Sequence, residues 1–156
     1  MNYLQHVKKI SEKSKEMLYK LNLKNIKNPA IIFDIDDTLI CATNNSYGLF
    51  IGDCIEPIVD LYNTAKKLGV KPIIITARGG VDFVVKETMG LLNTCKIKGF
   101  YSIYFRPIYS EDPYFYKTSA RKHARDSGFN ILMSVGDQEW DMGNFGGIPV
   151  KLPSLM

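Results

Sequence analysis

The chain has 156 residues, with 46% hydrophobic and 23% charged residues and a formal net charge of +4. This length and composition predict a single soluble globular domain with a sizeable core, and the scattered Lys and Arg residues do not favour a nucleic-acid-binding arm. No apolar run is long enough to span a membrane, and Lys8, Lys9, Glu12 and Lys13 interrupt any signal-peptide core, so a cytoplasmic location is expected.

The first predicted element is an amphipathic helix over residues 2–21, within an N-terminal segment 1–28. Its apolar residues recur at helical spacing, with Lys and Glu between them. Residues 29–156 are predicted to form the core domain. The three cysteines, Cys41, Cys54 and Cys95, are odd in number and lack C-x-x-C spacing, so we expect reduced thiols in a cytosolic compartment.

A short apolar run, Ala30 to Phe33, predicts a fully buried strand. It ends at Asp34, Asp36, Asp37 and Thr38, and strands of open α/β sheets deliver such residues to the carboxyl edge, where ligands bind. Unit charges 4 Å apart repel by roughly 4 kcal/mol at an effective dielectric constant of 20, so the carboxylates require a cation, a shared proton or a basic side chain. The residues required at later positions of an EF-hand calcium loop are missing.

The next segment, residues 41–55, predicts a loop that forms a small flap over the carboxylates. A helix begins at Glu56-Pro57 and ends at Gly69, since proline favours the first helical position and glycine the C-terminal cap. A second buried strand over residues 73–75 ends in Thr76 and then glycines. Backbone N–H groups at such a strand end can face an oxyanion.

Strands and helices alternate through the rest of the chain. An aromatic loop is predicted at 108–116, between a strand and the helix that Lys117 opens. Asp137 and Asp141 follow the fourth strand. Alternation of this kind indicates a three-layer α/β fold with a mainly parallel sheet. The remaining predicted elements are a helix over 81–92, strands over 100–105 and 129–135, a helix over 117–127 and an edge strand within 148–153.

Polar groups at the ends of these strands form a set suited to phosphoryl transfer. Mg²⁺ prefers carboxylate oxygens together with substrate phosphate, and a hydroxyl and an ammonium remain to hold phosphate oxygens. The cysteines lack an arginine six positions later, which excludes cysteine-phosphatase chemistry. Neither a Walker lysine loop nor a dinucleotide glycine fingerprint is present.

The order of these motifs resembles the haloacid dehalogenase-like (HAD) superfamily. Asp34-x-Asp36-x-Thr38, Thr76, Lys117 and Gly136-Asp137-x-x-x-Asp141 follow the superfamily's four motifs. Tyr116-Lys117-Thr118, Gly136 to Asp141 and Lys151-Leu152-Pro153 resemble the subfamily IIIB acid phosphatases and plant vegetative storage proteins. The resemblance covers residues 29–153 and implies a three-layer Rossmann-like (HAD-like) fold. The short spacings between motifs leave no room for a large cap domain.

The resemblance implies a role for each carboxylate. Asp34 would be the nucleophile that forms an aspartyl-phosphate, and Asp36 the acid and base for the leaving group and water. Asp34, the backbone carbonyl of Asp36, and Asp137 would hold Mg²⁺. Asp141 would bind a metal-bound water or orient Lys117.

Other residues are expected to hold the substrate or the loop. Thr76, Ala77 and Lys117 are predicted to bind the phosphoryl group. For Arg78, a substrate contact and a structural ion pair remain open alternatives. Asp37 is predicted to be structural.

The predicted activity is Mg²⁺-dependent hydrolysis of a phosphorylated small molecule or nucleotide, and a macromolecular phosphate end is also admissible. No membrane partner is expected, and the sequence gives no firm sign of nucleic-acid binding. Oligomeric state is not predicted. The alternative is a catalytically weak storage or interaction protein on the same scaffold. A receiver-type signalling domain also uses Asp, Thr, Lys and Mg²⁺, but the first strand here carries the whole Asp cluster and the last Asp pair follows Lys117, an order that argues against it.

Overall fold

The computed structural model describes residues 2–110 and 112–155. Met1 and Met156, the outer limits of the predicted segments 1–28 and 29–156, lie outside the described residues. The described residues form one five-stranded parallel sheet in the order β3-β2-β1-β4-β5. The strands are β1 (Pro29–Phe33), β2 (Lys71–Gly79), β3 (Ser102–Arg106), β4 (Asn130–Gly136) and β5 (Ile148–Lys151). The α-helices are α1 (Tyr3–Lys20), α2 (Glu56–Lys67), α3 (Asp82–Thr94) and α4 (Pro113–Asp126).

The central strand β1 explains the three-layer arrangement. Its side chains alternate between two cores, with Ile31 and Phe33 in the core on one face and Ala30 and Ile32 in the core on the other. Helices α1, α2 and α3 supply residues to the first core, and α4 supplies residues to the second. Burial on both faces accounts for the continuous apolar run of β1. The predicted parallel α/β architecture is confirmed, and the described residues include no insertion large enough for a cap domain.

Helix α1 packs against α2. Ser11 Oγ donates a hydrogen bond to Pro57 O at 2.6 Å, and Lys15 Nζ lies 2.6 Å from an Asp60 carboxylate oxygen. Val7 and Leu18 are fully buried in the larger core. The N-terminal segment is therefore an integral part of the packed structure over its helical residues.

Two predicted boundaries differ most from the structure. Strand β2 continues through Thr76 to Gly79, because Gly79 pairs with Arg106 of β3 after a shift in register. The predicted aromatic loop 108–116 is too long, since α4 begins at Pro113. Asp112 caps this helix by accepting a hydrogen bond from Tyr114 N at 2.9 Å, and Asp-Pro is a recognisable helix start.

The cysteine prediction is also wrong. Cys54, at the end of the flap 41–55, forms a disulfide with Cys95, which caps the C-terminal end of α3, while Cys41 is a buried free thiol. The two bonded cysteines are 41 residues apart, so only the fold brings them together. The disulfide removes one observation from which a cytoplasmic location was predicted.

We expect the disulfide to stabilise the folded chain by about 2–4 kcal/mol, because it closes a long loop in the unfolded state. The Cys54→Ser/Cys95→Ser variant should therefore unfold at a lower denaturant concentration than wild type. Cys41→Ser is the matched control, since it removes a thiol without removing a cross-link.

Thiol counting tests the bond independently. Unreduced, denatured protein should react with one equivalent of an alkylating agent, at Cys41, and reduced protein with three. Three reactive thiols without reduction would contradict the disulfide.

Among the helices of residues 2–110 and 112–155, none is both long and apolar enough to cross a bilayer.

Candidate active site

The carboxylates predicted to act together meet at the carboxyl edge of the sheet. Asp34 directly follows β1 and Asp137 directly follows β4, and these two strands are neighbours. Asp34 N donates to Val135 O at 3.0 Å, which extends the strand pairing to the site itself. Asp34 and Asp137 are only 7% and 5% exposed. The sheet thus delivers both carboxylates to one buried site.

Lys117 lies on α4, which packs on the second face of the sheet, and its side chain reaches these carboxylates. Its Nζ atom lies 2.8 Å from Asp34 Oδ1 and 2.6 Å from Asp141 Oδ1, and it donates to Ile75 O at 2.9 Å. Burial alone would lower the pKa of Lys117, but the charges of Asp34 and Asp141 outweigh burial and raise it. Lys117 is therefore a buried cation at neutral pH.

The site can hold a metal ion. Asp34, Asp137 and Asp141 are buried and offer carboxylate oxygens that all lie within 4.8 Å of one another. Burial raises the pKa of Asp34 above its usual range against the opposing charge of Lys117, and burial raises the pKa of Asp137 to about 6. Ionising all three carboxylates beside one ammonium leaves an excess of two negative charges. An all-oxygen donor set with this charge fits a hard divalent cation.

The turn after β4 places Asp141 in the cluster. Residues Glu139–Asp141 form a 3₁₀ turn, and Asp141 Oδ2 accepts from Gln138 N at 3.1 Å. A Cβ atom at Gly136 would overlap the Asp141 side chain. Glycine at this position therefore allows Asp141 to turn back toward Lys117.

Asp36 was predicted as a catalytic residue and, through its backbone carbonyl, as a metal ligand, and its carboxylate pairs with Arg78. Arg78 Nη2 lies 2.8 Å from Asp36 Oδ1, and Arg78 Nε lies 3.0 Å from Asp36 Oδ2. Arg78 Nη1 also donates to Thr88 Oγ1 of α3 at 3.1 Å. Of the two alternatives for Arg78, the structure contains the ion pair.

The other predicted substrate-binding residues lie at the end of β2. Thr76 is fully buried, and its hydroxyl oxygen accepts from Arg78 N at 3.1 Å. Ala77 O accepts from Arg106 Nε at 2.9 Å. Thr76 and Ala77 thus occupy the strand adjacent to Asp34, with the side chain of Arg106 supporting the backbone.

The turn after Asp34 agrees with a structural role for Asp37. Asp37 adopts a left-handed conformation with φ of 57°, which Asp tolerates better than most residues. Its carboxylate accepts from Ala42 N at 2.8 Å. Thr38 Oγ1 donates to Asp34 Oδ2 at 3.4 Å. These contacts hold the start of the flap beside the nucleophile candidate.

Arg121, which is only 2% exposed, is a site residue that was not predicted from the sequence. It lies one helical turn after Lys117 on α4, and its guanidinium donates to the backbone carbonyls of Trp140, Met142 and Asn144 at 2.9 Å each. Arg121 therefore organises the segment that follows Asp137. Its spacing from Lys117 was visible in the sequence, but the three acceptors are backbone atoms, which leave no sequence signal.

Comparison with solved structures supports this fold. A chain of the Pnkp1/Rnl/Hen1 complex aligns with a TM-score of 0.66 at 16% identity, over 81% of this chain and 46% of that chain. The class C acid phosphatase from Bacillus anthracis with tungstate bound aligns with a TM-score of 0.62 at 14% identity, over 94% of this chain and 77% of that chain. The chain spans about half the length of the Pnkp1/Rnl/Hen1 chain. At these identities the similarity establishes the fold.

A sequence-family comparison identifies the group. No curated protein sequence matches the chain. Residues 52–151, nearly two thirds of the chain, match the model of the HAD superfamily, subfamily IIIB (acid phosphatase). The matched range includes Thr76, Lys117, Asp137 and Asp141, and begins after Asp34. The chain therefore belongs to subfamily IIIB of the HAD superfamily, the acid phosphatase group.

Proposed function

We propose that this chain is a Mg²⁺-dependent phosphomonoester hydrolase that forms an aspartyl-phosphate at Asp34. Membership of an acid phosphatase family supports phosphatase activity. The observation that carries the finer proposal is the position of Asp34 between the Lys117 ammonium and the Asp137 and Asp141 carboxylates. This arrangement combines a nucleophile, a fixed cation and a site for a divalent ion.

Asp34, Asp137 and Asp141 are the residues that would hold the ion, with the backbone carbonyl of Asp36 as a further predicted oxygen donor. Bound there, Mg²⁺ would neutralise charge on the phosphoryl oxygens. Lys117 contributes a second positive charge from the protein itself. Together they offset the repulsion between a carboxylate nucleophile and an anionic ester.

Asp34 performs the first step. One of its carboxylate oxygens forms a bond to phosphorus while the bond from phosphorus to the ester oxygen breaks, and the ester oxygen leaves with the bonding electron pair. In the second step, water attacks phosphorus and loses a proton, the bond to Asp34 breaks, and inorganic phosphate leaves. Thr76 and Lys117 are proposed to hold phosphoryl oxygens in both steps.

Asp36 is proposed to transfer the protons. It would protonate the departing alkoxide and then accept a proton from the attacking water. The ion pair with Arg78, whose Nη2 atom lies 2.8 Å from Asp36 Oδ1, fixes the position of this carboxylate. The acid role requires Asp36 to be protonated first. An ester with a good leaving group, such as p-nitrophenyl phosphate, tests Asp34 without depending on that protonation.

The substrate is proposed to be a phosphorylated small molecule or a nucleotide. The described part of the chain carries no large cap over the sheet edge, so the site is open to esters of varied shape. Tyr47 and Phe50 of the flap and Tyr114 of α4 are each more than half exposed. Their rings could stack on a planar base.

Metal removal tests the proposed function. We expect hydrolysis of p-nitrophenyl phosphate in Mg²⁺, a fall in kcat/KM by about a hundredfold or more in EDTA, and recovery when Mg²⁺ is restored. Circular dichroism with and without EDTA controls for unfolding. Equal turnover with and without the chelator would contradict metal dependence.

The alternative role as a storage or interaction protein predicts a different result. Folded protein that binds Mg²⁺ but hydrolyses none of a panel of aryl, sugar and nucleoside phosphates would favour that alternative.

A further inference from the structure

The first turn of α1 brings an aromatic residue to the edge of the carboxylate site. Tyr3 is the first residue of this helix, yet it is only 5% exposed. Its backbone is fixed by a capping box in which Gln5 N donates to Asn2 Oδ1 at 2.8 Å and Asn2 N donates to Gln5 Oε1 at 3.2 Å. The position of Tyr3 is therefore set by local structure as well as by packing of α1 on α2.

The Tyr3 ring connects α1 to the flap. It stacks on the ring of Tyr47, with centroids 5.4 Å apart and an angle of 25° between the planes. Asp37, in the turn before the flap, also lies close enough for its charge to act on the Tyr3 hydroxyl. Tyr3 thus lies where α1, the flap and the catalytic turn meet.

The Tyr3 hydroxyl is buried without a hydrogen bond. Within residues 2–110 and 112–155, it has no partner, although buried hydroxyl groups are ordinarily hydrogen-bonded. Tyr62 gives the contrast, because its ring is fully buried and its hydroxyl donates to Lys98 O at 2.7 Å. The hydroxyl groups of Thr43 and Tyr116 also lack a partner among the described residues. The Tyr3 hydroxyl is therefore available to donate to an acceptor that these residues do not supply.

The surroundings of the hydroxyl indicate where that acceptor lies. Burial, and after it the charges of Asp37 and Asp137, raise the pKa of Tyr3. The hydroxyl therefore keeps its proton and can act as a hydrogen-bond donor. Asp137 belongs to the cluster with Asp34 and Asp141 that fits a divalent cation. An oxygen atom bound at this cluster, whether from phosphate or from water on the cation, would be such an acceptor.

We propose that Tyr3 contacts the ligand of this site, with its hydroxyl donating a hydrogen bond to an oxygen atom bound at Asp34, Asp137 and Asp141. The inference rests on the proposed function for the identity of the ligand, a phosphate group with Mg²⁺. It gives α1, which lies outside the family match at residues 52–151, a direct part in binding. Tyr3 would thus complete the site from the N-terminal side.

The test compares Tyr3→Phe with Tyr62→Phe. Each change removes one buried hydroxyl and keeps the ring. Tyr3→Phe should leave the Tm at or above the wild-type value, because no native hydrogen bond is lost, while the affinity for phosphate in Mg²⁺ and kcat/KM each fall about tenfold. Tyr62→Phe should lower the Tm and leave phosphate affinity unchanged.

Calorimetric titration with Mg²⁺ alone and with inorganic phosphate in saturating Mg²⁺ identifies the acceptor. Weaker Mg²⁺ binding by Tyr3→Phe would indicate water on the cation, and weaker phosphate binding alone would indicate a phosphoryl oxygen. If wild type binds phosphate but turns over no ester, a loss of affinity in Tyr3→Phe still supports the inference while the proposed function fails. Wild-type affinity and turnover in Tyr3→Phe would overturn it, as would a wild-type protein that binds neither ion.

Discussion

Asp34→Asn should lower kcat/KM for p-nitrophenyl phosphate by about a thousandfold or more. An amide is a poor nucleophile, so the covalent step is lost even though the side chain keeps nearly the same shape. Folding should survive, because asparagine retains an oxygen that can accept from Lys117 Nζ, now 2.8 Å from Asp34 Oδ1. The change also removes one of three crowded carboxylates.

Steady-state kinetics and mass spectrometry of the intact protein together check this prediction. Wild-type protein quenched in acid during turnover should gain the mass of one phosphoryl group, and Asp34→Asn should not. Asp37→Asn is the matched control, since it makes the same substitution in the same turn and keeps an oxygen for Ala42 N. Asp37→Asn should lower kcat/KM for p-nitrophenyl phosphate by less than tenfold. Activity of Asp34→Asn within tenfold of wild type would show that another residue is the nucleophile.

Much of this site was predictable from strand ends. Parallel strands place their carboxyl ends at one edge, so Asp34 after β1, Thr76 in β2 and Asp137 after β4 had to lie near one another once the alternation of strands and helices was recognised. The apolar runs of these strands are strong signals because both faces of the sheet are covered. Fold class and the approximate location of the site therefore followed from local patterns.

Other features depend on contacts between distant segments. Cys54 and Cys95 come together only because the flap lies against the end of α3, and no cysteine spacing encodes that contact. For Arg78 the sequence left an ion pair open without indicating its partner, and only the fold brings the Asp36 carboxylate against it. The start of α4 is a different kind of error, because the Asp112-Pro113 signal was present in the sequence and was overlooked.

The Tyr3 position shows why an added helix is hard to interpret from sequence. The spacing of apolar residues over 2–21 correctly predicts an amphipathic helix, but the same spacing is typical of any helix that packs on a domain. The hydroxyl of Tyr3 lacks a hydrogen-bond partner and lies within range of the charge of Asp137, and both are properties of the folded chain.

Lys117→Met should reduce both activity and stability. The change leaves the Asp34 and Asp141 carboxylates buried without the ammonium that lies 2.8 and 2.6 Å from them. Removing one partner of a buried ion pair typically costs about 3–5 kcal/mol of folding free energy at neutral pH. Loss of the cation that holds phosphoryl oxygens should also lower kcat/KM by about a hundredfold or more.

The pH dependence of the variant follows from the carboxylate pKa values. Burial already raises the pKa of Asp34, while Lys117 opposes that rise, so its removal should raise the pKa further. A carboxyl group whose pKa is higher in the folded than in the unfolded state favours folding when it is protonated, and that contribution is lost as pH increases through the folded-state pKa. Lys117→Met should therefore be least destabilised relative to wild type at acid pH, where Asp34 is protonated, and increasingly destabilised as the pH rises through the elevated pKa of Asp34.

Urea unfolding at pH 5 and at pH 8, without added metal, measures this difference. Lys122→Met is the matched control, because Lys122 lies on the same helix, is more than half exposed and pairs with Asp126 only at the surface. Its stability should change by about 0.5 kcal/mol or less at either pH. Mg²⁺ should restore part of the stability of Lys117→Met at pH 8, since a divalent cation offsets the same carboxylate repulsion that the ammonium offsets. If Lys117→Met lost the same amount of folding free energy at pH 5 and at pH 8, Lys117 would stabilise the fold by packing. Its charge would then not be needed to hold Asp34 and Asp141 together.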